Sequence, residues 1–324
     1  MTEAMQILVG LLADARHKLK KADFGAYAEV RRLLDQSLDK LERALHRRPT
    51  VIVAGESNSG KTSVANMLSG LDVLPAAVIA NTTVHVLLRH GIVPSITAIT
   101  DDGRMPLTTL ALNEPLPKFL LSGLERIEVE LPGMRDAGFE ILDTPAWPIE
   151  GLASEASDVL IWCSVAARPW TESERRAMTE LPARLRERSL LVITNKDALG
   201  LADRERVLAR YQELAGPFFA DMLMIDATFT PSAGEQPRSK DAADSVSARN
   251  GGENHDQLLA ALDQLVEEYW NRRAMTGRRL CRHIARSLRP GLPARQPNNS
   301  AAPGPDTDPI SAVLANIAGR LVTI

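Results

Sequence analysis

Residues 55–62 read Gly55-Glu56-Ser57-Asn58-Ser59-Gly60-Lys61-Thr62 and fit the pattern G-x-x-x-x-G-K-[ST]. The preceding run, Thr50-Val51-Ile52-Val53-Ala54, predicts a short buried strand, and Ser63-Val64-Ala65-Asn66-Met67-Leu68 predicts a helix start. A glycine-rich loop between a strand and a helix directs backbone N–H groups and the positive end of the helix dipole at an anion. The stretch therefore predicts a phosphate-binding loop, or P-loop.

The P-loop also predicts a set of nucleotide contacts. Lys61 can reach the terminal phosphates of a nucleotide, and the Thr62 hydroxyl can ligate Mg²⁺. The residues expected to contact the nucleotide in this loop are Glu56, Ser57, Asn58, Ser59, Gly60, Lys61, Thr62 and Ser63. The pattern alone does not distinguish ATP from GTP.

Short apolar runs alternate with helical patterns over the middle of the chain. The predicted strands are 50–54, 84–89, 95–100, 125–131, 138–142, 158–163, 189–193 and 222–225, and the predicted helices are 61–69, 115–122, 172–187 and 203–215. Strands separated by helices predict an α/β fold with a doubly wound, mostly parallel sheet. Ligands of such sheets bind at the carboxyl ends of the strands.

The flanking segments predict helices and linkers. The expected divisions are an N-terminal helical hairpin (1–48), a nucleotide-binding domain (49–228), a flexible polar insert (229–255), a C-terminal helix (256–289) and a flexible tail with a short apolar helix (290–324). The N-terminal helices are amphipathic, so each needs a partner for its apolar face. We expect the N- and C-terminal helices to form a bundle beside the sheet.

Composition narrows the location and the partners. The 324 residues are 44% hydrophobic, which supports a real core, and the net charge of −3 gives no general attraction to nucleic acid. Cys163 and Cys281 are the two cysteines and lie far apart, without metal-binding spacing, which favours a reducing, cytoplasmic location. No apolar run approaches the roughly 20 residues of a transmembrane helix.

A second motif distinguishes guanine from adenine. The run Leu190-Leu191-Val192-Ile193 predicts a buried strand, and Thr194-Asn195-Lys196-Asp197 follows at its carboxyl end. The Asp197 carboxylate can accept hydrogen bonds from the N1–H and 2-amino groups of guanine. Adenine has neither donor and would leave that carboxylate unpaired, at a cost of about 1–3 kcal/mol. We expect Asn195 to contact the base and tie its loop to the P-loop, and Lys196 to cover the base plane, so GTP is the expected substrate.

Metal and water contacts are expected on two further segments. Asp143 follows the apolar run Phe139-Glu140-Ile141-Leu142, at the strand end where a carboxylate supports Mg²⁺ binding. Thr83 precedes a predicted strand and is expected to meet Mg²⁺ and the attacking water, with Thr82 as the alternative. The expected catalytic residues are Lys61, Thr83, Ser57 and Asn58, and the expected metal ligands are Thr62, Thr83 and Asp143.

The end of the last predicted strand completes the expected guanine site. Met222-Leu223-Met224-Ile225 leads into Asp226-Ala227-Thr228. Small residues in this position allow backbone N–H groups to meet the guanine carbonyl. Ser-Ala-Lys is the common form of this motif, so Asp226, Ala227 and Thr228 are a loose match.

In this order, the motifs resemble those of bacterial dynamin-like GTPases and, more distantly, of Era-type and tRNA-modifying GTPases. The likeness covers roughly residues 50–228 and is carried by residues 53–62, 74–75, 81–91, 124–132, 138–145 and 169–174. The resemblance implies a P-loop GTPase fold with one antiparallel strand, flanked by a neck of helices. It also implies Mg²⁺-dependent GTP hydrolysis and G domains that dimerise across the nucleotide.

Three features depart from that family's pattern. Asn58 resembles the Asn with which Era-type GTPases help to hold a potassium ion, so K⁺ joins GTP and Mg²⁺ as an expected cofactor. Ala146 replaces the Gly of the usual D-x-x-G, and Trp147 stands where Ras-like GTPases keep a water-orienting Gln. Too few residues remain for a long stalk, so the expected partners are a second copy of the chain and either an anionic membrane surface or a stalk-bearing protein.

The sequence leaves three functions open. The leading one is a GTP-hydrolysing enzyme in the cytoplasm, with peripheral membrane attachment as a second location. The next is a GTP-loaded switch with negligible turnover that acts through a partner, which Ala146 and Trp147 favour. The third is an Era-like GTPase on the ribosome or RNA, which ranks lower because no RNA-binding domain is visible and a nucleic-acid partner is not expected.

A run of arginines near the C-terminus has two interpretations. Its members are Arg272, Arg273, Arg278, Arg279, Arg282, Arg286 and Arg289. They could contact anionic lipid, or they could form a solvated helix face or pair with acids on the N-terminal helices. The second interpretation is favoured because charge runs on helices are usually solvated.

Overall fold

The computed structural model describes residues 2–21, 28–71, 74, 84–107, 123–134, 138–145, 158–226 and 245–288. These residues belong to two compact units. One unit comprises Met1–Arg47 with Glu267–Ile324, and the other comprises Arg48–Val266.

Both units are built from regular elements. The helices are α1 (Glu3–Lys21), α2 (Ala28–His46), α3 (Lys61–Ser69), α4 (Glu172–Glu180), α5 (Ala183–Arg186), α6 (Leu201–Leu214) and α7 (Ser245–Leu288). The strands are β1 (Thr50–Gly55), β2 (His85–His90), β3 (Ser95–Thr100), β4 (Gly103–Leu107), β5 (Leu124–Leu131), β6 (Glu140–Asp143), β7 (Val159–Val165), β8 (Ser189–Thr194) and β9 (Asp221–Met224). Two 3₁₀ turns occupy Lys196–Ala198 and Gly216–Phe218.

The described strands form one sheet in the order β4-β3-β5-β2-β6-β1-β7-β8-β9. β1 pairs in parallel with β6 and β7, and β8 and β9 continue in the same direction. β2 is antiparallel to β6, β5 is parallel to β2, and β3 is antiparallel to both β5 and β4. The predicted mostly parallel sheet is confirmed. The prediction of a single antiparallel strand was wrong, because β2, β4 and β5 all run antiparallel to β1.

The centre of the sheet is buried on both faces. Every residue of β1 and β8 is buried, which is why these strands read as continuous β-branched and apolar runs rather than alternating ones. Trp162 of β7 and Tyr211 of α6 are the largest fully buried side chains of this unit, and both belong to its main apolar cluster. This packing fixes the carboxyl ends of β1, β6, β7, β8 and β9 along one edge.

Two predictions differ from the structure, and a third is not tested by it. β4 was missed because it is short and exposed, and its Pro106 is tolerated only because β4 lies at the sheet edge. The predicted helix 172–187 is two helices, α4 and α5, since Leu181 adopts an extended conformation before Pro182. The predicted helix 115–122 lies outside the described residues.

The other unit contains a helical bundle. α1 and α2 bury Met5, Leu8, Leu38 and Leu45. A side chain on Gly277 of α7 would place its Cβ 2.7 Å from Leu8 Cδ2 and 3.1 Å from Leu45 Cδ2, so α7 packs closely on both helices. The expected bundle of N- and C-terminal helices is therefore present.

Ion pairs join α1 to α2, and α7 is longer than predicted. Arg16 of α1 forms ion pairs with Asp35, Asp39 and Glu42 of α2. α7 begins at Ser245, eleven residues before the predicted start at 256. None of the helices in the described segments is both long and apolar enough to cross a membrane.

Candidate functional site

The P-loop joins β1 to α3 and is shaped by two glycines. Gly55 has φ +150°, and a Cβ there would lie 2.3 Å from the Cys163 carbonyl oxygen, so only glycine allows β7 this close. Gly60 precedes α3 with φ +82°, and no side chain caps the helix there. The first N–H groups of α3 are therefore available to an anion.

Lys61 lies folded over the P-loop. Its side chain is 9% exposed, and Nζ donates a hydrogen bond of 2.6 Å to the backbone oxygen of Glu56. Burial lowers the pKa of Lys61, while the nearby carboxylates of Asp143 and Glu56 oppose that shift. The ammonium group is thus held by the loop that would surround a phosphate.

Asp143 meets the P-loop at the end of β6. The Thr62 hydroxyl donates to Asp143 Oδ2 at 3.0 Å, and the Asp143 side chain is 2% exposed. Burial raises the pKa of Asp143 to about 6, against the Thr62 hydrogen bond and the charge of Lys61. Within the described residues Oδ1 has no hydrogen-bond partner. An orphaned buried carboxylate oxygen beside a hydroxyl fits the oxygen ligands that Mg²⁺ prefers.

Thr194, at the end of β8, ties the predicted guanine-reading loop to the P-loop. Its hydroxyl lies 3.0 Å from the Ser59 carbonyl oxygen and 3.2 Å from the Ser164 carbonyl oxygen. The sequence placed this tie on Asn195, but Asn195 has φ +61° and turns the chain without capping the following 3₁₀ turn. A buried Thr at the end of an apolar strand was the available signal.

The predicted guanine-reading loop, residues 194–197, is braced from two sides. The Lys196 N–H donates to the Ile225 carbonyl at 3.1 Å, and Lys196 Nζ lies 3.9 Å from Asp226 Oδ2. Arg204 of α6 donates to the Lys196 carbonyl oxygen at 3.0 Å. The brace leaves the Asp197 side chain exposed. No motif in the sequence pointed to Arg204.

Comparison with known proteins places this architecture. No protein-family model matches the chain. Dynamin-like protein 2 of Campylobacter jejuni is 23% identical over 209 residues, which are 59% of this chain and 33% of that protein. Isoniazid-induced protein IniC of Mycobacterium tuberculosis is 30% identical over 125 residues, which are 37% of this chain and 25% of that protein.

Solved structures give the fold. A chain from an oligomerised bacterial dynamin pair, described as sensing and tethering membranes, aligns with a TM-score of 0.56 at 16% identity. The alignment covers 89% of this chain and 56% of that one. The fold is that of a bacterial dynamin-like GTPase. A second such chain aligns with a TM-score of 0.51 at 19% identity, over 79% of this chain and 40% of that one.

The dynamin-like fold agrees with the resemblance seen in the motifs. The chain spans a third or less of the length of these curated relatives and about half of the solved chains. The fold brings the P-loop, Asp143 and the predicted guanine-reading loop together at one edge of the sheet. Several expected positions lie outside the described residues, namely Thr82, Thr83, Ala146, Trp147, Ala227 and Thr228.

The tip of the dynamin-like P-loop carries the two remaining candidates. Ser57 and Asn58 are exposed, and their contact with a nucleotide stays a prediction. Asn58 has φ +59°, a left-handed conformation that Asn tolerates better than most residues. This conformation is by itself a reason for Asn at this position, independent of any cation.

Proposed function

We propose that this chain binds GTP with Mg²⁺ and hydrolyses it to GDP and phosphate. The observation that carries the proposal is the meeting of Lys61, Thr62 and Asp143 beside the uncapped start of α3. These residues supply a cation for the phosphates and oxygen ligands for a metal. Thr194 links that site to the guanine-reading loop.

In this proposal the P-loop residues act mainly by positioning charge. Lys61 exchanges the Glu56 carbonyl for the terminal phosphates, and the N–H groups of α3 surround the phosphate oxygens. Thr62, Asp143 and Thr83 hold Mg²⁺, which neutralises phosphate charge when bound. Thr83 places the attacking water, with Ser57 or Asn58 as helpers.

The base is read at the ends of β8 and β9. Asp197 accepts the N1–H and 2-amino hydrogens of guanine, and its exposed side chain supports that role. Asn195 contacts the base, and Lys196 covers the base plane. Asp226, Ala227 and Thr228 approach the guanine carbonyl.

Phosphate release from GTP tests the enzyme directly. We expect Lys61→Ala to lower turnover by about 100-fold or more, since one preorganised charge at a transition state contributes roughly 3 kcal/mol. Circular dichroism of the variant would establish that it folds. Unchanged turnover in a folded Lys61→Ala protein would contradict the proposal.

Two properties are proposed from the relatives rather than from the site. Solved chains of this fold come from an oligomerised dynamin pair described as tethering membranes, which supports self-association across the nucleotide and contact with an anionic membrane surface or a stalk-bearing protein. If G domains pair during catalysis, turnover per protein should rise with protein concentration. A flat dependence from nanomolar to micromolar protein would count against pairing.

A second candidate function is a GTP-loaded switch with negligible turnover. It is favoured by Ala146 and Trp147, which replace the flexible Gly and the water-orienting Gln of related sites. Tight GTP binding without phosphate release, in Na⁺ and in K⁺, would select the switch. Faster release in K⁺ than in Na⁺ would instead support a potassium ion beside Asn58.

A further inference from the structure

Glu56 of the P-loop makes side-chain contacts that phosphate binding does not require. Its Oε1 accepts a hydrogen bond of 3.0 Å from the Thr171 hydroxyl and a second hydrogen bond from the Ser173 hydroxyl. Its Oε2 lies 3.7 Å from Arg168 Nη2. The carboxylate therefore contacts the segment that connects β7 to α4 and the first turn of α4.

The main chain of Glu56 faces the phosphate site. Its carbonyl oxygen accepts from Lys61 Nζ at 2.6 Å and from the Ser59 N–H at 3.3 Å. One residue thus holds the lysine of the candidate site through its backbone and the start of α4 through its side chain. Any movement of Lys61 toward a phosphate changes the hydrogen bond between Lys61 Nζ and the Glu56 carbonyl oxygen.

The start of α4 connects Glu56 to the core through further hydrogen bonds. Thr171 caps α4 in a reciprocal capping box with Glu174, whose Oε2 accepts from the Thr171 N–H at 2.8 Å. Glu174 is buried, and its Oε1 accepts from the Trp162 indole N–H of β7 at 3.2 Å. The hydrogen-bonded path runs from the P-loop through Thr171 and Glu174 to the central sheet.

The residue before the cap is held in a costly conformation. Trp170 has φ +49°, a left-handed conformation that is unfavourable for a bulky side chain. Its ring packs against Phe218 and Phe219, with centroid distances of 5.8 and 5.5 Å. The segment around Trp170 is held by aromatic packing on one side and by Glu56 on the other. A change in the contacts of Glu56 should therefore change the order of this segment.

We propose that Glu56 is a positioning residue that couples occupancy of the P-loop to the order of residues 166–174. The proposal rests on nucleotide binding at the P-loop and adds a route by which that binding reaches α4. Coupling of this kind is reciprocal, so loosening α4 weakens nucleotide binding by the same factor.

Hydrogen exchange of the full chain, with and without saturating GDP and Mg²⁺, tests the coupling. In the wild type we expect GDP to slow exchange of amides 166–174 about fivefold. Glu56→Ala should bind GDP about fivefold more weakly and, once saturated, lose that protection. Glu56→Gln should retain it, because an amide oxygen accepts the same hydroxyl hydrogen bonds.

Two further variants keep the test independent of folding. Ser173→Ala changes one exposed residue and should reduce the GDP-dependent protection partly, whereas Glu172→Ala, an exposed neighbour paired with Arg175, should leave it unchanged. Protection that persists in saturated Glu56→Ala, or its absence in GDP-bound wild type, would overturn the coupling alone. Failure of the wild type to bind GDP would overturn the proposed function and the coupling with it.

Discussion

Lys61 and Asp143 are oppositely charged, and both are nearly buried at the same end of the P-loop. Each is stabilised by one strong contact, from Lys61 Nζ to the Glu56 carbonyl and from the Thr62 hydroxyl to Asp143. Burying charge costs free energy that such contacts offset only in part. Lys61 and Asp143 offset part of each other's charge, and a phosphate beside Lys61 and a divalent cation beside Asp143 would each supply further opposite charge.

Thr194 supports a prediction about the link between the phosphate and base halves of the site. Thr194→Val keeps the shape of the side chain and removes the hydrogen bond to the Ser59 carbonyl. We expect GTP affinity to fall about fivefold, because a lost buried hydrogen bond costs roughly 1 kcal/mol. Equilibrium titration with GTP measures it.

Thr100→Val is the matched control for that substitution. Thr100 also ends a strand and donates to a backbone carbonyl, that of Gly103, at 3.2 Å, but on a strand far from β1 in the sheet. It should leave GTP affinity unchanged. Equal losses in both variants would show that the Thr194 effect is not specific to the site.

At the scale of elements, the pattern of apolar residues along the chain predicted where buried strands and helices lie. β3 at 95–100 and α3 at 61–69 occupy the predicted residues, since a strand with partly alternating β-branched residues and a helix bounded by glycines leave clear signals. The reversed direction of β2 and β5 left no such signal, because apolar periodicity does not encode strand direction. The Thr194 tie and the Arg204 brace depend on loops meeting in space, which spacing along the chain cannot show.

Glu128 on β5 gives a prediction about acid stability. It is 3% exposed and forms ion pairs with Arg89, Arg104 and Arg126. Burial by itself would raise the pKa of Glu128, but the hydrogen bond from Arg126 and the other arginines lower it below its ordinary value of 4.5. Its contribution to stability is therefore present above pH 4.5 and is lost as pH falls through the lowered pKa.

Chemical unfolding of Glu128→Gln at several pH values measures this contribution. We expect the variant to be less stable than the wild type at pH 7, because three arginines lose their ion pair with the Glu128 carboxylate. The difference should shrink as pH falls below 4.5 and through the lowered pKa of Glu128, because the wild-type carboxyl then also becomes neutral. A difference that stays constant from pH 7 to pH 3 would show that shape rather than charge sets the effect.

At the scale of the whole molecule, the chain comprises one unit that contains the sheet and one that contains the helical bundle. The bundle prediction concerns Gly277, where a Cβ would lie 2.7 Å from Leu8 Cδ2. Gly277→Leu should destabilise the helical unit by about 1–3 kcal/mol through overpacking. Thermal unfolding followed by circular dichroism is the measurement.

Gly10→Leu provides the matched control in the same bundle. Gly10 lies on α1, and a Cβ there would have no atom within 4 Å beyond its chain neighbours and the adjacent backbone of its own helix. The substitution should stabilise the helix by up to about 1 kcal/mol, since glycine disfavours helix interiors. Destabilisation by Gly10→Leu equal to that of Gly277→Leu would contradict close packing of α7 on α1 and α2.

The central claim is that the P-loop, Asp143 and Asp197 form a guanine nucleotide site. Isothermal titration of the full chain with GTP and Mg²⁺, in the absence and presence of excess ATP, tests it most directly. We expect one GTP per chain, binding that weakens when Mg²⁺ is chelated, and no displacement by a tenfold excess of ATP. Absence of GTP binding, or equal competition by ATP, would contradict the account.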